Sequence, residues 1–321
     1  MGTTVAVLGA TGYAGGELLR LLHGHPDLEV LALAGDRRAG EQADVVLPHL
    51  AGASLPPVVT IDEALEVAAD VCFSCLPTGV LPLEKVSSPL LVDLADTHRG
   101  VDGWVYGLPE LARAQLPGAT RIANPGCYPT ATLLCLAPFV SAGVVSGPAI
   151  VDALSGISGA GRRGEDRLAF ATAESSATAY GTTDHRHVPE IERGLAAFGG
   201  VDLAVSFTPH LVPMSRGLLV TARAPLSDDI ISDGDALSVL EDRYSNEPFV
   251  SVSNEWPATK AVVGTNRAHV SSRVDVRAGF LIASAAIDNL GKGAAGQAIQ
   301  NANLALGVEE TAGLEGLGVW P

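Results

Sequence analysis

Close to its start the chain carries an unbroken apolar run, Thr4 to Leu8 of TVAVL, then a stretch punctuated by glycine, then apolar positions recurring every three or four residues in GGELLRLL. The first pattern predicts a strand buried on both faces. The second predicts an amphipathic helix from about Gly15 to Leu22. LEVLALAG, DVCFSCLPTG, LLVDLADTHRG and RIANPGC repeat the theme of apolar run followed by turn. Recurring strand–helix units of this kind build a doubly wound parallel sheet, so the first part of the chain reads as an α/β dinucleotide-binding domain. Beyond the apolar stretch after NPGCYP the pattern changes. PAIVDALSG, a later strand in LAVSFTPHLVPMSRGLLVTARAPL, and the strands AHVSSRVD and FLIASAAID predict a mainly antiparallel sheet. NLGKGAAGQAIQNANLALG then reads as a helix with Leu290, Ala294, Ala298 and Leu304 on or near one side.

The turn after the first strand spaces Gly9, Gly12 and Gly15 as Gly-x-x-Gly-x-x-Gly, a variant of the dinucleotide fingerprint. Glycine lets the backbone turn tightly and approach a pyrophosphate, which then caps the helix N-terminus. The second strand runs into Asp36-Arg37-Arg38, at the position that faces the adenosine ribose in this fold. Asp36 argues for NAD and the two guanidiniums for a 2'-phosphate, and two cations outweigh one carboxylate they can neutralise. The expected cofactor is therefore NADP. Leu76 to Gly79 and Asp93 to Arg99, at later strand ends, are expected to line its crevice.

Cys127 follows a Pro-Gly turn and precedes Pro129, a residue suited to a first helical turn, so a helix is expected from about Pro129 to Leu136 with the thiol at its N-terminus. Free N–H groups and the helix dipole there favour a thiolate, which makes Cys127 a candidate nucleophile. Cys135, among Leu133, Leu134 and Leu136, reads as core, and the Cys72–Cys75 pair in an apolar strand reads as packing rather than zinc or redox chemistry. Four cysteines without a disulfide framework fit a reducing cytosol, and an N-terminus lacking a basic segment before its apolar stretch fits neither secretion nor membrane insertion. A net charge of -16 speaks against nucleic acid and anionic membranes. With only three lysines, Lys85, Lys260 and Lys292, arginines are left to carry most contacts to an anionic ligand.

Three segments of the second half carry further chemistry. SGISGAGRRGED is a Gly/Ser-rich loop whose N–H groups can form an anion nest beside Arg162 and Arg163. In AYGTTDHRHVPEI, Val188 precedes a proline and is expected to be extended, placing His185 and His187 on one face and Arg186 on the other, with Tyr180 a further pocket candidate. His210 lies between two prolines in FTPHLVP.

GATGYAGGELLRLL, NPGCYPTA, SGISGAGR, HRHVPEI, FTPHLVPMSRG and DNLGKGAAGQAIQN, in that order from Gly9 to Asn303, resemble the N-acetyl-gamma-glutamyl-phosphate reductase family. The resemblance implies an NADP-binding Rossmann domain over 1–127, a catalytic and dimerisation domain over 128–288 like that of aspartate-semialdehyde dehydrogenase, and a C-terminal helix at about 289–321 returning to the first domain. It implies reduction of an acyl phosphate through a Cys127 thioester, with His187 and His210 as rival proton shuttles. On the matching positions, the cofactor set is Gly9, Thr11, Gly12, Tyr13, Ala14, Gly15, Arg37, Arg38, Pro77 and Asn289. The substrate set is Asn124, Ser155, Gly156, Ser158, Arg162, Tyr180, His185, Arg186 and Lys260. The implied partners are the small acyl phosphate and phosphate, no nucleic acid or membrane, and further copies of the chain in a cytoplasmic homodimer or homotetramer. Other readings are a reductase of an aspartyl-phosphate type substrate, a non-catalytic NADP sensor, and a metal hydrolase using His185, His187 and His210. A short-chain dehydrogenase would need Tyr-x-x-x-Lys, and no tyrosine of the chain has lysine four residues on.

Overall fold

The structure, a computed structural model, describes residues 2–162, 164–227 and 231–319. The chain divides into two compact units: one takes the residues up to Gly126 together with Ala294–Gly316, the other Cys127–Gly293 with the segment from Leu317 on. Among the described residues no helix is long and apolar enough to cross a membrane.

The first unit holds strands β1 (Thr3–Leu8), β2 (Leu28–Ala34), β3 (Val58–Val59), β4 (Val71–Ser74), β5 (Leu90–Asp93), β6 (Val105–Tyr106) and β7 (Arg121–Ala123). They form a wholly parallel sheet in the order β3-β2-β1-β4-β5-β7-β6. Runs such as VAVL and VCFS are buried at every position, which is why they read as continuous apolar stretches rather than as alternation. Helices α1 (Tyr13–His23), α2 (Ala43–Val46), α3 (Ile61–Glu66) and α4 (Pro109–Ala112) occupy the connections. Thr60 caps α3 through the Glu63 N–H while the Glu63 carboxylate reaches back to the Thr60 N–H, a reciprocal capping box.

The last helix of this unit, α9 (Gly296–Leu306), is buried over most of its length although it carries Gln297, Gln300, Asn301 and Asn303. Burying amides is tolerable only when they are hydrogen-bonded. Asn301 Nδ2 donates to Gly107 O at 2.8 Å and to Asn124 Oδ1 at 3.0 Å, and Asn303 Nδ2 donates to Ala312 O at 3.0 Å. His25 Nδ1 accepts from the N–H groups of Asp27 and Leu28, so its Nε2 carries the proton that it donates to Asn303 Oδ1 at 3.0 Å. α9 does not begin where the sequence pattern starts: Gly291–Ala295 is wound as a π-helical turn that precedes it.

The second unit is built on β8 (Ala149–Gly156), β9 (Thr178–Ala179), β10 (Val205–Val212), β11 (Leu218–Pro225), β12 (Val250–Val252), β13 (Ala268–Asp275) and β14 (Phe280–Ile287), ordered β12-β13-β14-β11-β8-β10-β9. The β8/β10 and β12/β13 pairs are parallel and the remaining pairs antiparallel. Helices α5 (Cys127–Ser141), α6 (Phe170–Ala173), α7 (Val188–Gly199) and α8 (Asp233–Tyr244) complete it. Alternation along β8, β10 and β11 is clean: Val151, Ala153, Phe207, Val220 and Ala222 are buried, while Ile150, Asp152, Thr208, Leu219 and Thr221 on the other face are at least partly exposed.

Helix α5 runs longer than its sequence suggests, through Pro138 to Ser141. A proline at that position removes the N–H that would bond the Leu134 carbonyl four residues earlier. The buried Tyr244 hydroxyl from α8 donates to Leu134 O at 2.7 Å and fills that gap, so the helix continues.

Candidate active site

The glycines of the first turn have separate duties. Gly9 has φ +74°, and a Cβ there would lie 2.7 Å from the Cys75 carbonyl oxygen. A Cβ on Gly15 would lie 2.4 Å from Gly9 O and 2.6 Å from Ala10 Cα, so this glycine lets α1 pack directly on the turn. Gly12, the residue that opens α1, has ordinary room, and no side chain caps the helix. The Gly12 N–H donates to Gly9 O at 3.1 Å, and the N–H groups that follow it at the start of α1 can meet an external anion such as a pyrophosphate. Thr11, Gly12 and Ala14 are partly exposed around this turn and Tyr13 is exposed. Asp36, Arg37 and Arg38 form a short 3-10 turn after β2. The Asp36 carboxylate accepts from the Ile61 N–H at 2.8 Å, and Arg38 pairs with Glu41 at 2.7 Å. Pro77 is exposed just beyond β4.

In the second unit Cys127 is the first residue of α5 and is partly exposed, whereas the residues from Tyr128 to Val140 are buried. The other thiols contrast with it: burial pushes Cys72 and Cys135 up to about 12 and Cys75 higher still. Those three thiols stay protonated at neutral pH. Tyr128, next to the candidate nucleophile, is buried, and its hydroxyl lies 2.9 Å from the Tyr180 hydroxyl. Burial above all holds both phenols protonated, and a thiolate at Cys127 pushes in the same direction. Two O–H donors thus stand within electrostatic reach of the sulfur.

The rings of His185 and His187 complete an aromatic cluster with Tyr128 and Phe207. His185 packs edge-on against Tyr128 at 5.6 Å, Phe207 at 5.2 Å and His187 at 4.8 Å, and His187 meets Tyr128 at 5.9 Å. The two histidines come together differently from the expected extended segment. Val188 opens α7, with Pro189 in its first turn, and the chain folds back before it. His187 N donates to His185 Nδ1 at 3.1 Å and Val188 N to His185 O at 3.0 Å, bonds that offset the proline's bias toward an extended Val188. Burial, reinforced by Arg186, lowers His185 to about 4 and keeps it neutral at physiological pH. His210 stands apart: on β10 it has the parity of Ser206 and Thr208, opposite to Phe207, and so lies on the sheet face away from Tyr128. The three histidines of the metal reading therefore do not converge, and among the described residues no group of three or more His, Cys, Asp or Glu gathers in metal-binding geometry.

Two family descriptions match this chain: "Semialdehyde dehydrogenase, NAD binding domain" over residues 4–119 and "Semialdehyde dehydrogenase, dimerisation domain" over 127–289. The chain belongs to the semialdehyde dehydrogenase family. Among curated relatives of this family, the N-acetyl-gamma-glutamyl-phosphate reductases of Salinispora tropica and Frankia casuarinae are 43% and 44% identical, each alignment covering 100% of both chains. The crystal structure of aspartate semialdehyde dehydrogenase II complexed with ASA from Vibrio cholerae superposes with a TM-score of 0.73 at 17% identity, over 95% of this chain and 98% of that one. The aspartate semialdehyde dehydrogenase with NADP from Candida albicans gives 0.70 at 19%, with the same coverage. These solved structures share the fold. The family description assigns a nicotinamide-dinucleotide domain to the unit that carries the Gly9 turn.

Within this family fold the remaining candidates fall into two sets. Asn124 and Asn289 are buried and engaged by the protein: Asn124 donates to Ala294 O at 3.2 Å and accepts from Asn301, whereas Asn289 accepts from Gly217 N at 2.8 Å and donates to Ser158 Oγ at 2.9 Å. Ser155 is buried and its hydroxyl donates to Gly156 O. Arg162, Arg186 and Lys260 are exposed, and Arg163 lies outside the described residues. Sequence reasoning missed Arg216, a partly buried guanidinium that pairs with Asp288 at 2.9 Å and whose backbone passes 3.0 Å from a Cβ built on Gly156. It also missed Arg167, which lies 5.9 Å over the Tyr180 ring and, with Ile157, Ala173, Leu211 and that tyrosine, lines a cavity of about 90 Å³. Arg216 sits inside a motif already singled out, but only its ion pair marks it. Arg167 has no sequence signal.

Proposed function

We propose that this chain is an N-acetyl-gamma-glutamyl-phosphate reductase, converting N-acetyl-glutamyl 5-phosphate to N-acetyl-glutamate 5-semialdehyde and phosphate with NADPH, in arginine biosynthesis. The observation that carries the reading is a partly exposed cysteine at the first position of a buried helix, followed by Tyr128, whose hydroxyl meets that of Tyr180 and whose ring meets those of His185 and His187. The Cys127 thiolate attacks the acyl carbon, the carbon–oxygen bond to phosphate breaks, and phosphate leaves with the bonding pair. NADPH, when bound, supplies the hydride that takes the resulting thioester to the thiohemiacetal. The N–H groups opening α5 hold the negative oxygen in each step. His187, with Tyr128 and Tyr180, manages the proton as the carbon–sulfur bond breaks and the thiolate is restored.

The Gly9–Gly15 turn suits the cofactor pyrophosphate, since its two tight approaches are filled by protein backbone and no side chain caps the helix it leads into. Arg37 and Arg38 suit the 2'-phosphate. The Asp36 carboxylate accepts from the Ile61 N–H, and it is the two guanidiniums beside it, not Asp36, that favour NADP over NAD. Arg216, Arg162 and Arg186 are the candidates for the substrate's anionic groups. The enzyme acts as a homodimer in the cytoplasm, where a catalytic thiol stays reduced. The second copy covers the outer face of the β8–β11–β14 sheet, whose partly exposed Ile150, Leu154, Leu219 and Ile282 suit an apolar contact.

The test runs the reaction backward. Protein, phosphate and NADP are mixed with either N-acetyl-glutamate semialdehyde or aspartate semialdehyde, and reduced cofactor is followed by absorbance. Turnover with the acetylated substrate, abolished in Cys127→Ser while NADP still binds, is the expected result. Turnover with aspartate semialdehyde alone, or an active Cys127→Ser enzyme, overturns it. Light scattering should give twice the chain mass, falling to one chain in Leu219→Glu.

A further inference from the structure

A tight backbone approach in the second unit falls on Cys127 itself. A Cβ built on Gly293 would lie 2.8 Å from the Cys127 Cβ and 3.3 Å from its Cα. Gly293 is the middle residue of the π-helical turn Gly291–Ala295. Such turns are rarer and less stable than α-helix, and they persist where the surroundings hold them. Here Asp288 provides the hold. Its carboxylate is fully buried and accepts from the N–H groups of Gly264 at 2.5 Å, Leu290 at 2.8 Å and Gly291 at 3.1 Å, besides its ion pair with Arg216. Its main-chain oxygen accepts from the Gly293 N–H at 2.9 Å. On the other side of the turn Gly291 fits against the Thr265 carbonyl, which would stand 2.1 Å from a Cβ there.

We infer that Asp288 and Gly293 are positioning residues for the Cys127 nucleophile: the Asp288-anchored π turn sets the direction of the Cys127 Cα–Cβ bond and thereby the aim of its sulfur. The inference rests on the reading of Cys127 as the nucleophile. A first helical residue is held by few intrahelical bonds, so its placement depends on what is packed against it. The bare Gly293 backbone is that support. A methyl group on Gly293 has no rotamer with which to yield, so it must displace either the turn, which Asp288 and Thr265 confine, or Cys127. Displacing a reacting group by about 1 Å costs on the order of 100-fold in rate.

The experiment compares Gly293→Ala, Asp288→Asn and a control, Gly279→Ala, whose glycine has φ +72° but meets nothing within 4 Å. In Gly293→Ala, kcat should fall about 10- to 100-fold while the KM for phosphate and NADP affinity stay within about twofold. The rate of Cys127 alkylation by iodoacetamide, followed across neutral to alkaline pH, should shift with kcat. Asp288→Asn should move both readouts the same way by less, and Gly279→Ala should lose stability without moving either. Wild-type kcat and alkylation in Gly293→Ala, with Cys127→Ser inactive, defeats the inference and leaves the nucleophile intact. An active Cys127→Ser enzyme defeats the nucleophile reading instead. If Gly293→Ala does not fold, Asp288→Asn is read in its place. If neither folds, the contact serves folding and not the aim of the sulfur, and the inference falls.

Discussion

Replacing Gly9 with alanine tests whether the cofactor turn is shaped by its own backbone neighbours. Two costs add. Gly9 sits at φ +74°, where a residue with a Cβ loses about 1–2 kcal/mol. The new methyl would also meet the Cys75 carbonyl oxygen at 2.7 Å and its carbon at 2.8 Å. These are backbone atoms at the end of a central strand and cannot turn aside, so forced overpacking adds about 1–3 kcal/mol. The expected loss is therefore about 2–5 kcal/mol. Gly40 supplies the control, because its φ is +89° yet nothing lies within 4 Å of a Cβ there, and Gly40→Ala should show only the conformational part. Urea unfolding of both variants, with NADPH titration by fluorescence quenching, measures the difference. Gly9→Ala should unfold earlier than Gly40→Ala and bind cofactor more weakly. Equal unfolding midpoints for the two would refute the claim that the Cys75 backbone leaves no room.

Other outcomes follow from single contacts. Tyr244→Phe removes the donor that serves the Leu134 carbonyl above Pro138 and should cost about 1–3 kcal/mol in urea unfolding. His185 is lowered to about 4 in the folded chain against an unfolded value near 6.5, so the unfolded state binds the extra proton between those values. Stability should rise with pH through that window, be fully present above it, and be lost as acid is added. His25 and His269 are lowered too and act in the same direction, so His185→Phe should flatten the acid limb in part rather than abolish it. Arg37→Ala should raise the KM for NADPH about tenfold or more and leave that for NADH nearly unchanged, consistent with loss of one charge-assisted phosphate contact. Equal effects on the two cofactors would remove Arg37 from the 2'-phosphate site.

Much of this architecture was legible because buried parallel strands declare themselves as unbroken apolar runs, and because Pro-Gly before Cys127 and Pro129 after it mark a helix start from both sides. What escaped depended on partners distant in sequence. The continuation of α5 through Pro138 needs a hydroxyl from Tyr244, and nothing near Pro138 announces it. The pairing of His185 with His187 arises from two short-range bonds that overrule a local rule about residues before proline. His210 looked equivalent to its rivals until β10 acquired a register and hence a face. The role of Gly293 was hidden because a glycine's spacing gives no sign of what stands beside it.

Helix α9 has a consequence for biosynthesis. The first unit's sheet is complete by Ala123, yet the amides that satisfy Gly107 O, Asn124 and His25 arrive only with residues 294–316. At about 5–20 residues per second, translation of the intervening unit takes roughly 10 to 30 s. Throughout that interval the emerging N-terminal sheet lacks its final cover, and its amide partners bond to water instead. The part of the chain made first is thus the part finished last, and a ribosome stalled before Gly296 would leave a nascent chain in need of a chaperone.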